Sequence, residues 1–180
     1  MYILGNYISA EVINFDTAPF AFTINPDKEK MYYIYQMPRD RSYVAIISEF
    51  EHFDKTSFPS PNEIKLIPLP FGNNTHDDEF QRDKPISIIY NPNDKNVYVL
   101  SLAATESGSI VYVINGTDNK IIDRIKLSQM RYPVTLAYNP SNEYVYASGS
   151  FDPMEFINTT SGKSTALKNT SRAFDITYNP

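Results

Sequence analysis

The sequence predicts an all-β chain assembled from repeated four-stranded antiparallel units. Two observations carry this. Tyr (14) and Phe (11) are plentiful, and 13 prolines are scattered along 180 residues, a balance that favours short strands broken by turns over long helices. One eight-residue unit also recurs four times, as Pro19–Pro26 (PFAFTINP), Pro85–Pro92 (PISIIYNP), Pro133–Pro140 (PVTLAYNP) and Ala173–Pro180 (AFDITYNP). Self-similarity of this kind is the signature of a repeat architecture.

The elements follow in chain order. Met1 to Leu4 reads as the second strand of a hairpin that lacks its first, so residues 1–18 form an incomplete unit. In Pro19–Pro26 the opening proline suits a strand's first residue, where no ladder donor is needed, and the closing Asn-Pro ends the strand and begins a turn. Its mostly apolar middle predicts a strand covered on both faces. Asp27 to Lys30 then turns the chain into Met31 to Tyr35, which makes a hairpin. Strands at Ser42 to Ser48 and Glu63 to Leu69 complete this unit, residues 19–84, which carries insertions at Glu49 to Asn62 and Pro70 to Lys84. Residues 85–132 give the clearest unit: Pro85–Pro92, a turn at Asn93 to Asn96, Val97 to Leu100, Ser109 to Ile114, a turn at Asn115 to Asn119, and Lys120 to Leu127. Residues 133–172 repeat it through Tyr144 to Ala147, Met154 to Ile157 and Lys163 to Lys168, and residues 173–180 hold a first strand alone.

Spacings of 66, 48 and 40 residues separate the closing prolines, and the last two match the roughly 40–45 residues of a four-stranded propeller blade. The fold class expected is therefore a β-propeller: about four blades in one domain, with the recurring unit as each innermost strand. Because the chain starts and stops inside a unit, it is expected to be part of a larger ring. Pairing of its termini, or self-association of two copies, are the alternative ways of closing one.

The segment Pro85 to Leu100 closely resembles the YVTN family of β-propeller repeats, common in archaeal and bacterial surface proteins. It has the family's Pro-x-x-hydrophobic-x-hydrophobic-Asn-Pro strand, polar turn and Val-Tyr-Val strand. The incomplete first unit and the insertions of the second depart from that pattern. The resemblance implies an extracellular or cell-surface module that binds or scaffolds and presents its loops to a protein or glycan partner; the repeat has no catalytic signature, and the missing nucleophile and phosphate-loop motifs point to a non-catalytic role. Some relatives of the repeat are lyases that use a histidine and a glutamate at a metal. A metal-dependent lyase or hydrolase at the channel mouth is thus the alternative, with His76 and Glu79 cast in those roles.

A net charge of −5 without a basic stripe argues against nucleic acid, since covering phosphates needs one. The longest apolar runs, such as Tyr43 to Ile47, are far short of the roughly 20 residues of a membrane span. Residues 1–10 lack the basic start and long apolar stretch of a signal peptide. With no cysteine, disulfides, thiolate zinc sites and a cysteine nucleophile are excluded. Four Asn-x-Ser/Thr sequons, at Asn73, Asn115, Asn158 and Asn169, fall in turn-like segments and are glycosylation candidates.

The chemistry-bearing residues cluster in loops expected at one end of the blades. Arg82, Arg131 and Arg172 each stand just before an inner strand, where guanidinium groups could hold an anionic ligand through paired hydrogen bonds. His76, Asp77, Asp78 and Glu79, with Asp83 nearby, form the densest acidic patch and are the candidate ligands for calcium or another divalent ion, although no EF-hand spacing is present. His52 is the other histidine. There is no Gly-x-Ser-x-Gly elbow and no phosphate loop, so no catalytic and no cofactor-binding residue is assigned. Tyr132 with Phe151 offers an aromatic platform on the same loops. The strand tyrosines at 33, 35, 98, 112, 138, 146 and 178 are expected to pack between blades and place their hydroxyls at the edge.

Overall fold

The computed structural model describes residues 21–37, 41–48, 64–69, 83–102, 108–170 and 175–176. The strand expected at Met1 to Leu4, most of Ala173–Pro180 and the interiors of both insertions lie outside these residues. The described chain is all-β apart from one 3-10 turn at Pro26–Lys28, and its strands make three four-stranded antiparallel sheets. The first holds β1 (Phe22–Asn25), β2 (Lys30–Met37), β3 (Arg41–Ser48) and β4 (Ile64–Pro68). The second holds β5 (Lys84–Asn91), β6 (Asn96–Leu102), β7 (Ser109–Asn115) and β8 (Ile121–Leu127), and the third β9 (Pro133–Asn139), β10 (Tyr144–Gly149), β11 (Glu155–Asn158) and β12 (Lys163–Ala166). Within each sheet, strands pair in sequence order as a meander.

One turn chemistry builds most of the hairpins. Asn91, Asn115, Asn139 and Asn158 each end a strand, and each side-chain Oδ1 accepts from the backbone N–H two residues on, at 2.8–3.0 Å. Four residues after the asparagine the backbone turns left-handed, at Lys95, Asn119, Glu143 and Gly162 (φ 61°, 60°, 62° and 64°). That residue's N–H closes the turn on the asparagine carbonyl in three of them, at 2.8–2.9 Å. Asparagine suits the first position because its short amide bonds its own backbone locally.

Two interfaces hold the sheets together. Tyr32, Ile34, Val44, Ile46 and Ile67 of the first sheet pack on Ile88, Val97, Val99, Ile110, Tyr112 and Ile114 of the second. On its other face the second sheet packs Tyr98, Leu100, Val111, Val113 and Leu127 against Leu136, Val145, Ala147 and Ile157 of the third. The middle strands of the second sheet thus alternate between two cores, which is why β6 and β7 are buried almost throughout, whereas β8 at the sheet edge is largely exposed. Each such aliphatic side chain contributes about 1.5–3 kcal/mol on burial.

The first strands of the three sheets, β1, β5 and β9, lie side by side and are joined by hydroxyls. Thr23 Oγ1 accepts from Tyr90 N–H at 2.9 Å, and Ser87 Oγ accepts from Leu136 N–H at 3.2 Å. Their burial differs from the expectation of strands covered on both faces: β1 and β9 are only partly buried. They occupy sheet edges and present hydroxyls to one another. The opening prolines Pro85 and Pro133 sit where the register of their strands shifts, a place that tolerates the missing ladder donor.

Tyrosine hydroxyls meet polar partners at the sheet ends. Tyr98 donates to Asp94 at 2.5 Å, four residues back in its own turn, and Tyr146 accepts from Asn142 at 2.8 Å in the equivalent place. The first sheet has Lys28 at that position, and Tyr32 reaches instead into the turn of the second sheet, to Asn119 Oδ1 (2.8 Å) and Gly116 O (3.2 Å). Lys30 Nζ joins it there, on Gly116 O, Thr117 O and Asn119 Oδ1, each at 3.2 Å. Desolvation lowers the Lys30 pKa. Gly116 is required at this junction: a Cβ would lie 2.4 Å from Lys95 O.

Candidate functional site

At the opposite end of the sheets from the asparagine turns, the β8–β9 loop (128–132) and the β10–β11 loop (150–154) are locked together. The Asp152 carboxylate accepts through Oδ2 from the backbone N–H groups of both Arg131 (2.7 Å) and Tyr132 (2.9 Å). Ser150 N–H donates to Tyr132 O at 2.9 Å. Gly149 is needed for that approach, since a Cβ would meet Tyr132 O at 2.9 Å and Met130 Cγ at 3.3 Å. Beneath them Met130 is fully buried and its carbonyl accepts from Ser109 Oγ at 2.9 Å. The chain after β12 joins the same end, where Met154 N–H donates to Thr170 Oγ1 at 2.9 Å and Leu167 N–H to Met154 O at 2.7 Å.

These anchors hold two aromatic rings out of the core. Tyr132 is 59% exposed and Phe151 65% exposed, with ring centroids 5.9 Å apart and planes at 85°. The expected pairing of Tyr132 with Phe151 on the loops is therefore a real contact, edge to face. Arg131 beside them is exposed. The residue that positions all three, Asp152, was not singled out by sequence reasoning. The one local signal there is an Asp-Pro step in the loop after β10, a common turn opening that does not reveal which amides the carboxylate holds.

A second pair of anchors ties each entering loop to the strand behind it. In the second sheet Tyr112 donates its hydroxyl to Asp83 Oδ2, and both residues are buried. Burial, then the hydrogen bond to Asp83, pushes the Tyr112 pKa up. The register places Glu155 at the corresponding point of β11. Its Oε1 accepts from Gln129 N–H at 2.9 Å, while Oε2 is buried with no partner among the described residues. Asp83, read in the sequence as a neighbour of the acidic patch, is thus a structural acceptor.

Arg82, Arg172, His52, Asn73 and the patch His76, Asp77, Asp78 and Glu79 lie outside the described residues. The three arginines precede the first residues of their units by three, two and one positions in the sequence. Among the described residues, no group of three or more His, Cys, Asp or Glu could hold a metal ion, and no helix is long and apolar enough to cross a membrane. Asn115 and Asn158 stand at equivalent turns, half-buried, and Asn169 is exposed with left-handed backbone (φ 60°).

No family model and no curated protein matches this sequence. Among solved structures, hydrazine synthase of Kuenenia stuttgartiensis is similar over 95% of this chain and 41% of that chain, with a TM-score of 0.58 at 16% sequence identity. The likeness is one of fold alone. The chain spans 41% of the length of this neighbour.

Proposed function

We propose that this chain is a non-catalytic binding or scaffolding module of the β-propeller kind, built from YVTN-type repeats and displayed at a cell surface. Three meanders whose first strands adjoin support the propeller reading, as does the equivalence of their interfaces. Tyr146 and Phe156 of the third sheet stand where Tyr98 and Val113 stand in the second, on the face by which one sheet receives the next. They are half-buried, and a fourth copy of the repeated unit, Ala173–Pro180, follows in sequence.

The observation that carries the functional reading is the Tyr132–Phe151 pair. Exposed aromatic side chains on rigid loops supply contact area at low entropic cost, and recognition surfaces are enriched in them. The anchoring by Asp152, Gly149 and Met130 leaves the rings in place before any partner arrives, which lowers the cost of binding. A protein or a glycan is the partner of this end of the molecule. The test is differential labelling: the exposed tyrosines of the full chain are nitrated with and without extracts of cell-surface material. Protection of Tyr132 from modification supports the reading; equal labelling in both states refutes it.

A further inference from the structure

We infer that the corner between Tyr132 and Phe151 binds a neutral, β-linked glycan of gluco-configured sugars. This rests on the binding-module reading above and names the ligand class for the same loops. With planes at 85° and centroids 5.9 Å apart, one ring offers a face beside the edge of the other, and both are more than half exposed. A pyranose with all its ring hydroxyls equatorial has two faces made of C–H bonds. Such a face stacks on an aromatic ring and leaves the hydroxyls at the rim.

The rim carries groups suited to those hydroxyls. Asp152 commits Oδ2 to two backbone amides, while Oδ1 engages none of the described residues. An ionised carboxylate has acceptor capacity beyond two bonds, and Arg131, whose backbone N–H it holds, is exposed in the same loop as Tyr132 and brings a guanidinium with donors in a planar fork. An acceptor and a donor side chain from these two adjoining loops suit hydroxyls, which both donate and accept. The axial 2-hydroxyl of a manno sugar obstructs one of its two C–H faces, which favours gluco over manno configuration. A chain of net charge −5 disfavours polyanionic glycans through long-range repulsion. The rival occupant is a peptide, since Tyr and Arg are also frequent anchors in protein interfaces.

The experiment is calorimetric titration of the full chain with cellohexaose, chitohexaose and mannohexaose. The expected result is binding of one of the first two, at least tenfold weaker for mannohexaose. Tyr132→Ala should weaken it at least tenfold, and remote Ile122→Ala should leave it unchanged. Phe151→Ser and Asp152→Asn provide two further variants at the corner should Tyr132→Ala fail to fold. Absence of binding to cellohexaose and chitohexaose by folded wild type overturns the inference, as does binding that all corner variants retain. Peptides selected from a displayed library on the same protein, and lost in the same variants, would overturn the glycan class while sustaining the binding module. Failure of both sugars and peptides removes both readings.

Discussion

At the scale of single residues, Asp152 is the side chain on which the loop end depends. Its carboxylate satisfies two backbone N–H groups at once, and hydrogen bonds to a charged acceptor are worth about 1.5–3 kcal/mol each. Asp152→Ala is therefore expected to lower unfolding free energy by about 2 kcal/mol and to loosen the aromatic pair, read by urea denaturation and near-UV circular dichroism; Asp152→Asn, which keeps an acceptor, should cost less. Gly149→Ala pushes a methyl to 2.9 Å from Tyr132 O and is expected to destabilise by about 1–3 kcal/mol through overpacking. Tyr132 and Phe151 were legible in the sequence as aromatics placed in loops. Asp152 was not, because the amides it holds lie 21 and 20 residues away and no local pattern ties them together. A separation of 26 residues likewise hid Glu155 and Gln129.

At the scale of elements, the repeated Asn-Pro unit made β1, β5 and β9 readable, and the polar four-residue turns after it made their partners readable. Glu63 to Leu69 was placed within a residue of β4 (Ile64–Pro68) by its apolar pattern. The contact of Tyr32 and Lys30 with the 116–119 turn could not be read. It joins residues more than 80 positions apart, and it exists because Lys28 replaces the acceptor that Tyr98 finds in Asp94. The turns themselves predict a stability change. Lys95 holds left-handed backbone at φ 61°, a conformation that costs an L-residue about 1–2 kcal/mol. Lys95→Gly is expected to raise stability by about 1 kcal/mol in urea, because its exposed ion pair with Asp27 (3.7 Å) contributes little. Gly162→Ala should do the reverse at φ 64°.

At the scale of the whole molecule, the sheet interfaces bury three tyrosines whose hydroxyls must stay protonated. Desolvation raises the pKa of Tyr32 to about 12, and it raises those of Tyr98 and Tyr112 further, against an ordinary value near 10. A pKa raised in the folded state gives stability that is complete below about pH 10 and is lost as pH climbs through the folded values. The expected outcome is alkaline unfolding, in which phenolate absorbance appears together with loss of β-sheet circular dichroism rather than before it. A binding module also predicts that a chelator leaves the melting temperature of the purified chain unchanged; a drop of several degrees would favour the metal-dependent enzyme read from His76 and Glu79. The sequence-ordered meander of each sheet has a mechanical consequence as well. Antiparallel neighbours joined by short turns are loaded one hydrogen bond at a time when the chain is pulled from its ends, not sheared as a block. Under tension the three described sheets should each peel strand by strand at low force, giving a successive release for each.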